Sequence, residues 1–195
     1  SSGQMSSYSL TLTALSVFTA IALIPNQTRL GVVVAAVVGD RPVDLHVQVA
    51  FGLLFATATF TACFGVLVAA GPMLLEAIGS AVSLPTGPQL AMVFGAFLVE
   101  SWIMVLVNIL VIRKSYEFVV WYCIFAVIAF VLGMSVALST GSLYVGLALV
   151  PALLQAMFAL PAVFCACARS CGQSWQRFAL DLVEQGARMV SCRTA

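Results

Sequence analysis

The run LAMVFGAFLVESWIMVLVNILVI, Leu90 to Ile112, is followed after Arg113-Lys114-Ser115-Tyr116-Glu117 by FVVWYCIFAVIAFVLGMSVAL, Phe118 to Leu138. These two runs decide the fold. A helix rises 1.5 Å per residue, so about 20 apolar residues cross the roughly 30 Å of hydrocarbon in a bilayer. Both runs reach that length, the first with Glu100 as its one charged residue and the second with none. The basic turn between them predicts an antiparallel pair of spans.

Three further stretches extend the pattern: Tyr8 to Ile24, Val49 to Ala70, and Leu143 to Ala168. Across the chain, 63% of residues are apolar and 8% charged, far from the roughly 25% charge of soluble domains. The sequence therefore predicts an all-α membrane protein, a polytopic helical bundle of five spans over residues 1–168 with a C-terminal interfacial amphipathic helix and tail over 169–195. Four spans are the alternative, because Tyr8 to Ile24 is rich in Ser and Thr and sits at the lower limit of length. A chain opening Ser1-Ser2-Gly3-Gln4 rather than on Met is expected to derive from a longer product.

Orientation follows from the cations. Arg29 and Arg41 follow the first stretch, Arg113 and Lys114 the third, and Arg169, Arg177, Arg188 and Arg193 the fifth. All eight Lys and Arg residues thus fall on one side, as expected of a cytoplasmic, matrix or stromal face. Tyr8 and Tyr144 are expected near the opposite boundary, and Tyr116, Trp121, Tyr122 and Trp175 near the basic one. Asn26-Gln27-Thr28 matches a glycosylation acceptor but lies on the basic side and is expected to be unmodified.

Between the spans, Pro25 and Asn26 are expected to end the first helix. Leu30 to Val38 is too short to span and reads as an interfacial or strand-like piece. Met73 to Leu84, with Leu74, Leu75, Ile78 and Val82 at helical spacing, predicts a surface helix with Pro72 in its first turn. Pro151 and Pro161 predict kinks in the fifth span. Gln173 to Val190 predicts an amphipathic helix whose Trp175, Phe178 and Leu182 face the membrane interface, with docking on a partner's soluble surface as the alternative.

Polar groups at mid-depth are the candidate functional residues. Glu100 lies about 15 Å into its span at 1.5 Å per residue. Asn108 follows two turns later on the same face, with Met104 between them. Gln155 occupies the middle of the fifth span, Thr57, Thr59 and Thr61 that of the second, and Ser16 that of the first. Intramembrane carboxylates are costly and mark ion paths or interhelical contacts. A protonated Glu100 donating to Gln155, Asn108 or a Thr would act as glue or as a subunit contact. Small residues at four-residue spacing, Thr57-Thr61-Gly65-Ala69 and Ala129-Gly133-Ala137, predict close helix packing.

Other chemistry is poorly supplied. The one histidine, His46, lies near Asp40 and Asp44 in what reads as a solvated loop, so paired-histidine haem ligation is not available to this chain. No phosphate loop, paired catalytic carboxylates or HExxH element is present. No metal site is expected. Cys165, Cys167, Cys171 and Cys192 read as reduced thiols or sites of reversible acylation, and no structural disulfide is expected. Net charge of +1 gives no reason to expect nucleic acid.

The expected function is therefore that of a non-enzymatic, multi-pass accessory or scaffold subunit of a larger, energy-transducing membrane complex. Its expected partners are the lipid bilayer and other membrane subunits, with bound lipid and no cofactor. A small channel or a proton- or ion-coupled carrier using Glu100 is the alternative. A weaker one is a pigment- or quinone-binding subunit with Glu100, Asn108 or Gln155 as ligand and Trp102 alongside.

Overall fold

The computed structural model describes residues 2–39, 42–77, 79, 82, 84–114 and 117–191. Asp40, Arg41, Tyr116, Ile78, Cys192 and Arg193, which entered the sequence reading, lie outside the described residues. The described chain is helical, in seven helices: α1 (Ser2–Thr28), α2 (Leu30–Val38), α3 (Pro42–Ala77), α4 (Gly87–Ile112), α5 (Glu117–Thr140), α6 (Val145–Ser170) and α7 (Trp175–Ser191). Five of them, α1, α3, α4, α5 and α6, are long and apolar enough to cross a membrane. The protein is an all-α, multi-pass bundle.

α4 is the hub. It packs against α1, α3 and α6, and Leu90, Val93, Phe94, Ile103, Leu106, Ile109 and Leu110 are buried along it. Two cores form around it. One joins Leu15, Ala56, Phe60, Phe94, Tyr144 and Ala148 near its start. The other joins Leu45, Val49, Leu106, Ile109, Val163 and Phe178 near its end. The start of α4 is capped by its own side chain, since the Thr86 backbone N–H donates to Gln89 Oε1 at 3.1 Å, as a capping box requires.

α1 has its polar load neutralised locally. The hydroxyls of Thr11, Thr13, Ser16 and Thr19 donate to carbonyls three or four residues earlier, which removes the cost of bare hydroxyls in hydrocarbon. This helix does not stop at Pro25. It runs on to Thr28, because a proline deletes one donor without preventing the next turn from forming, and Arg29 N donates to Pro25 O at 3.1 Å.

α2 is a helix rather than a strand-like piece, with Val33 and Ala36 buried. The expected surface helix after the second span is also corrected. Met73 to Ala77 continue α3 through Pro72, while Gly79, Val82 and Leu84 are not helical. Leu84 then folds back onto Gly71, whose missing side chain leaves it room.

The prolines of α6 act through their spacing. Two π-helical turns, Val145–Leu149 and Gln155–Ala159, each end two residues before a proline. Val150 N donates to Val145 O and Leu160 N to Gln155 O, one residue further back than in an α-helix. The extra residue relieves the clash between a proline ring and the carbonyl four positions earlier. It also strands carbonyls that the proline cannot serve. Leu147 O recovers a donor from another helix, the Tyr8 hydroxyl at 3.4 Å.

α5 is not paired with α4 as the short turn predicts. Lys114 adopts the left-handed conformation, φ 55°, and beyond it α5 packs against the first half of α6. There the Gly133 backbone meets the Gly146 carbonyl, and Gly146 in turn lies against Ala137. A side chain at either glycine would collide with backbone, so this contact explains the Ala129-Gly133-Ala137 stripe.

Candidate functional site

Glu100, Met104 and Asn108 line one edge of α4, where Met104 is exposed and the other two are half-buried. Gln155, in the second π-helical turn of α6, is also half-buried. Among the described residues, the side chains of Glu100, Asn108 and Gln155 make no hydrogen bond to one another or to any other group. Thr61 stands apart. It is exposed on α3 and its hydroxyl donates to Thr57 O at 2.8 Å. The mid-depth polar groups are therefore presented individually, with Glu100 and Asn108 sharing an edge.

The cross-helix polar contacts that do form involve other residues. Trp102 Nε1 donates to Thr57 Oγ1 at 3.1 Å, tying α4 to α3. Successive residues on a helix are 100° apart, so Trp102 points about 200° away from Glu100. Cys167 Sγ donates to Leu106 O at 3.3 Å, and Tyr144 donates to Ser7 Oγ at 3.1 Å while its ring meets Tyr8 edge to face. The pairing of Trp102 with Thr57 was open to a sequence reading, since Trp102 lies two residues from Glu100 and so at a depth similar to that of Thr57. The tyrosine pair had no local signal.

Two further placements differ from expectation. His46 is not in a solvated loop: α3 begins at Pro42, and the ring is 3% exposed. Phe178 does not face the membrane interface, because α7 folds back on α3 and buries it completely. The apolar face of α7 is wide enough to serve two surfaces. Phe178 and Leu182 take the bundle, while Trp175, Val183 and Val190 remain exposed. Trp121 on α5 is likewise exposed. The stripe of Thr61, Gly65 and Ala69 on α3 points outward, and nothing lies within 4 Å of where a Gly65 side chain would stand.

Among the described residues no cluster of His, Cys, Asp and Glu could hold a metal ion. An apolar cleft of about 460 Å³ lies between α5 and α6, walled by Phe118, Trp121, Tyr122, Phe125 and Phe158. No protein-family model matches the chain, and no curated protein or solved structure matches it either.

Proposed function

We propose that this integral membrane protein is a non-catalytic accessory or scaffold subunit of a larger membrane assembly, held by the Glu100-Met104-Asn108 edge of α4. The observation behind this reading is a half-buried carboxyl and a half-buried amide on one edge with no hydrogen-bond partner among the described residues. Polar groups at membrane depth are stabilised by interhelical hydrogen bonds. A helix from another subunit is the natural source of those bonds. On this reading Arg29, Arg113, Lys114 and Arg169 face the cytoplasm, matrix or stroma.

Purification in mild detergent followed by mass spectrometry tests the proposal. Stoichiometric partners should accompany the wild-type protein and the Glu100→Gln variant, because an amide still donates, and should be lost from Glu100→Leu. A protein that purifies alone or only with copies of itself would refute the subunit reading. A second reading, favoured by the half-buried Glu100 carboxyl itself, is a small proton-coupled carrier. In that case Glu100→Gln abolishes transport while leaving the oligomer intact.

A further inference from the structure

α5 packs closely on α6 only along the first half of that helix, so the two diverge toward the α4–α5 turn and leave a wedge between them. This wedge is the cleft of about 460 Å³, walled by Phe118, Trp121, Phe125 and Ile128 on α5 with Phe158 and Ala162 on α6. Phe125 and Phe158 meet across it with ring centroids 6.2 Å apart. From Phe118 to Ile128 the furrow runs about 15 Å at 1.5 Å per residue, half of the roughly 30 Å of hydrocarbon in a bilayer. It is one leaflet deep. Among its lining side chains only the Trp121 indole and the Tyr122 phenol carry a polar atom.

The mouth of the furrow is cationic. Phe118 lies four residues beyond Lys114, which is exposed, and five beyond Arg113, whose Nε is enclosed without an acceptor among the described residues. On α6, Arg169 follows Ala162 by seven residues, two turns of regular helix, and so projects from the same face. It too is exposed. The bond from Cys167 Sγ to Leu106 O sets this end of α6 against the last turns of α4. None of the three cations has an ion pair among the described residues. One acidic residue, Glu117, stands in the same stretch, so this end keeps an excess of positive charge.

We propose that the furrow binds an anionic phospholipid, with one acyl chain between α5 and α6 and the phosphate and headgroup held by Arg113, Lys114 and Arg169. Guanidinium and ammonium donors at the end of a span pair with phosphate oxygens. The apolar walls take the chain along a length that matches one leaflet. A helix from a partner would cross both leaflets and find almost no polar contact in the furrow. A zwitterionic lipid offers the same chain but adds an ammonium group that these cations repel. Each cation beside an anionic headgroup contributes roughly a fivefold preference.

Trp121, 71% exposed, reports on the site. In the full chain carrying Trp102→Phe and Trp175→Phe it is the one tryptophan left. The test is its quenching in phosphatidylcholine vesicles containing a minor fraction of brominated phosphatidylglycerol or, separately, of brominated phosphatidylcholine. Phosphatidylglycerol should quench more strongly at equal fraction. Lys114→Gln with Arg169→Gln, both at exposed positions, should lower that preference on the order of tenfold. Ala162→Phe fills the furrow while keeping every charge, and should abolish the preference; the glutamine pair decides the matter if it does not fold. Trp175, alone in a Trp102→Phe, Trp121→Phe chain and close to Arg177, measures general enrichment of anionic lipid at the basic end and should show a weaker preference. Equal quenching of Trp121 by the two lipids, a preference no greater than at Trp175, or one that survives Ala162→Phe or the glutamine pair would each overturn the proposal. So would a Trp121 quenched by neither lipid, which marks a partner protein or a second copy of this chain lying over the furrow.

Discussion

Gly133→Ala should break the seat of α5, and Gly65→Ala should do nothing of the kind. A methyl group on Gly133 runs into the carbonyl oxygen of Gly146 and also meets Pro151 Cγ at 3.5 Å. The obstructing atom is backbone in a π-helical turn, so no rotamer change clears it, and α5 must lift away from α6. Overpacking of this kind costs about 3 kcal/mol at its upper end. Replacing glycine by alanine inside a helix returns about 1 kcal/mol of backbone entropy, which leaves a net loss of about 2 kcal/mol by those two figures. At Gly65 nothing lies within 4 Å of the new methyl, so only the favourable contribution remains. The two variants should therefore differ by about 3 kcal/mol. Unfolding by sodium dodecyl sulfate in mixed micelles, followed by circular dichroism, measures this directly. Equal stability of the two variants, or greater damage at Gly65, would refute the assignment of the α5–α6 contact.

Thr57→Val leaves the Trp102 indole N–H without its acceptor and should cost about 1 kcal/mol in the same assay, given the size of interhelical hydrogen bonds in membranes. Phe178→Ala empties a fully buried site and should cost about 3 kcal/mol or more of α7 docking, seen as faster tryptic cleavage at Arg177 and Arg188 with the spans intact. Single cysteines at Lys114 and Arg188 should react with an impermeant maleimide from the same side of sealed vesicles; labelling from opposite sides would contradict the orientation proposed from the basic residues.

The spans were legible because one physical quantity, hydropathy over a length matched to hydrocarbon, is written residue by residue. Leu90 to Ile112 became a helix that begins only three residues earlier and ends at the same place. Helix ends were less legible, since Pro25 and Pro72 stop helices in water but sit inside α1 and α3 here. Lipid offers the backbone no competing partner, so continuing the helix is the cheapest way to satisfy the remaining groups. Neighbour choice was the least legible. A short turn between α4 and α5 suggested a pair, whereas the decisive feature was the match of Gly133 to Gly146, thirteen positions apart and meaningful only once both helices are placed. Among the polar candidates, depth could be read from sequence but direction could not. Glu100 and Asn108 do share an edge, while Thr61 turns outward. His46 was read as solvated because it was assigned to a loop, and the start of α3 at Pro42 removed the premise.

The seat of α5 has a consequence for biosynthesis. α5 carries no Asp, Glu, Lys or Arg from Phe118 to Thr140, and its packing partner, the first half of α6, is translated after it. While the ribosome is still making α6, α5 must wait in lipid as an isolated segment, stable by its hydropathy alone. Docking comes only when Gly146 enters the bilayer, which makes the arrival of α6 the step that completes the bundle.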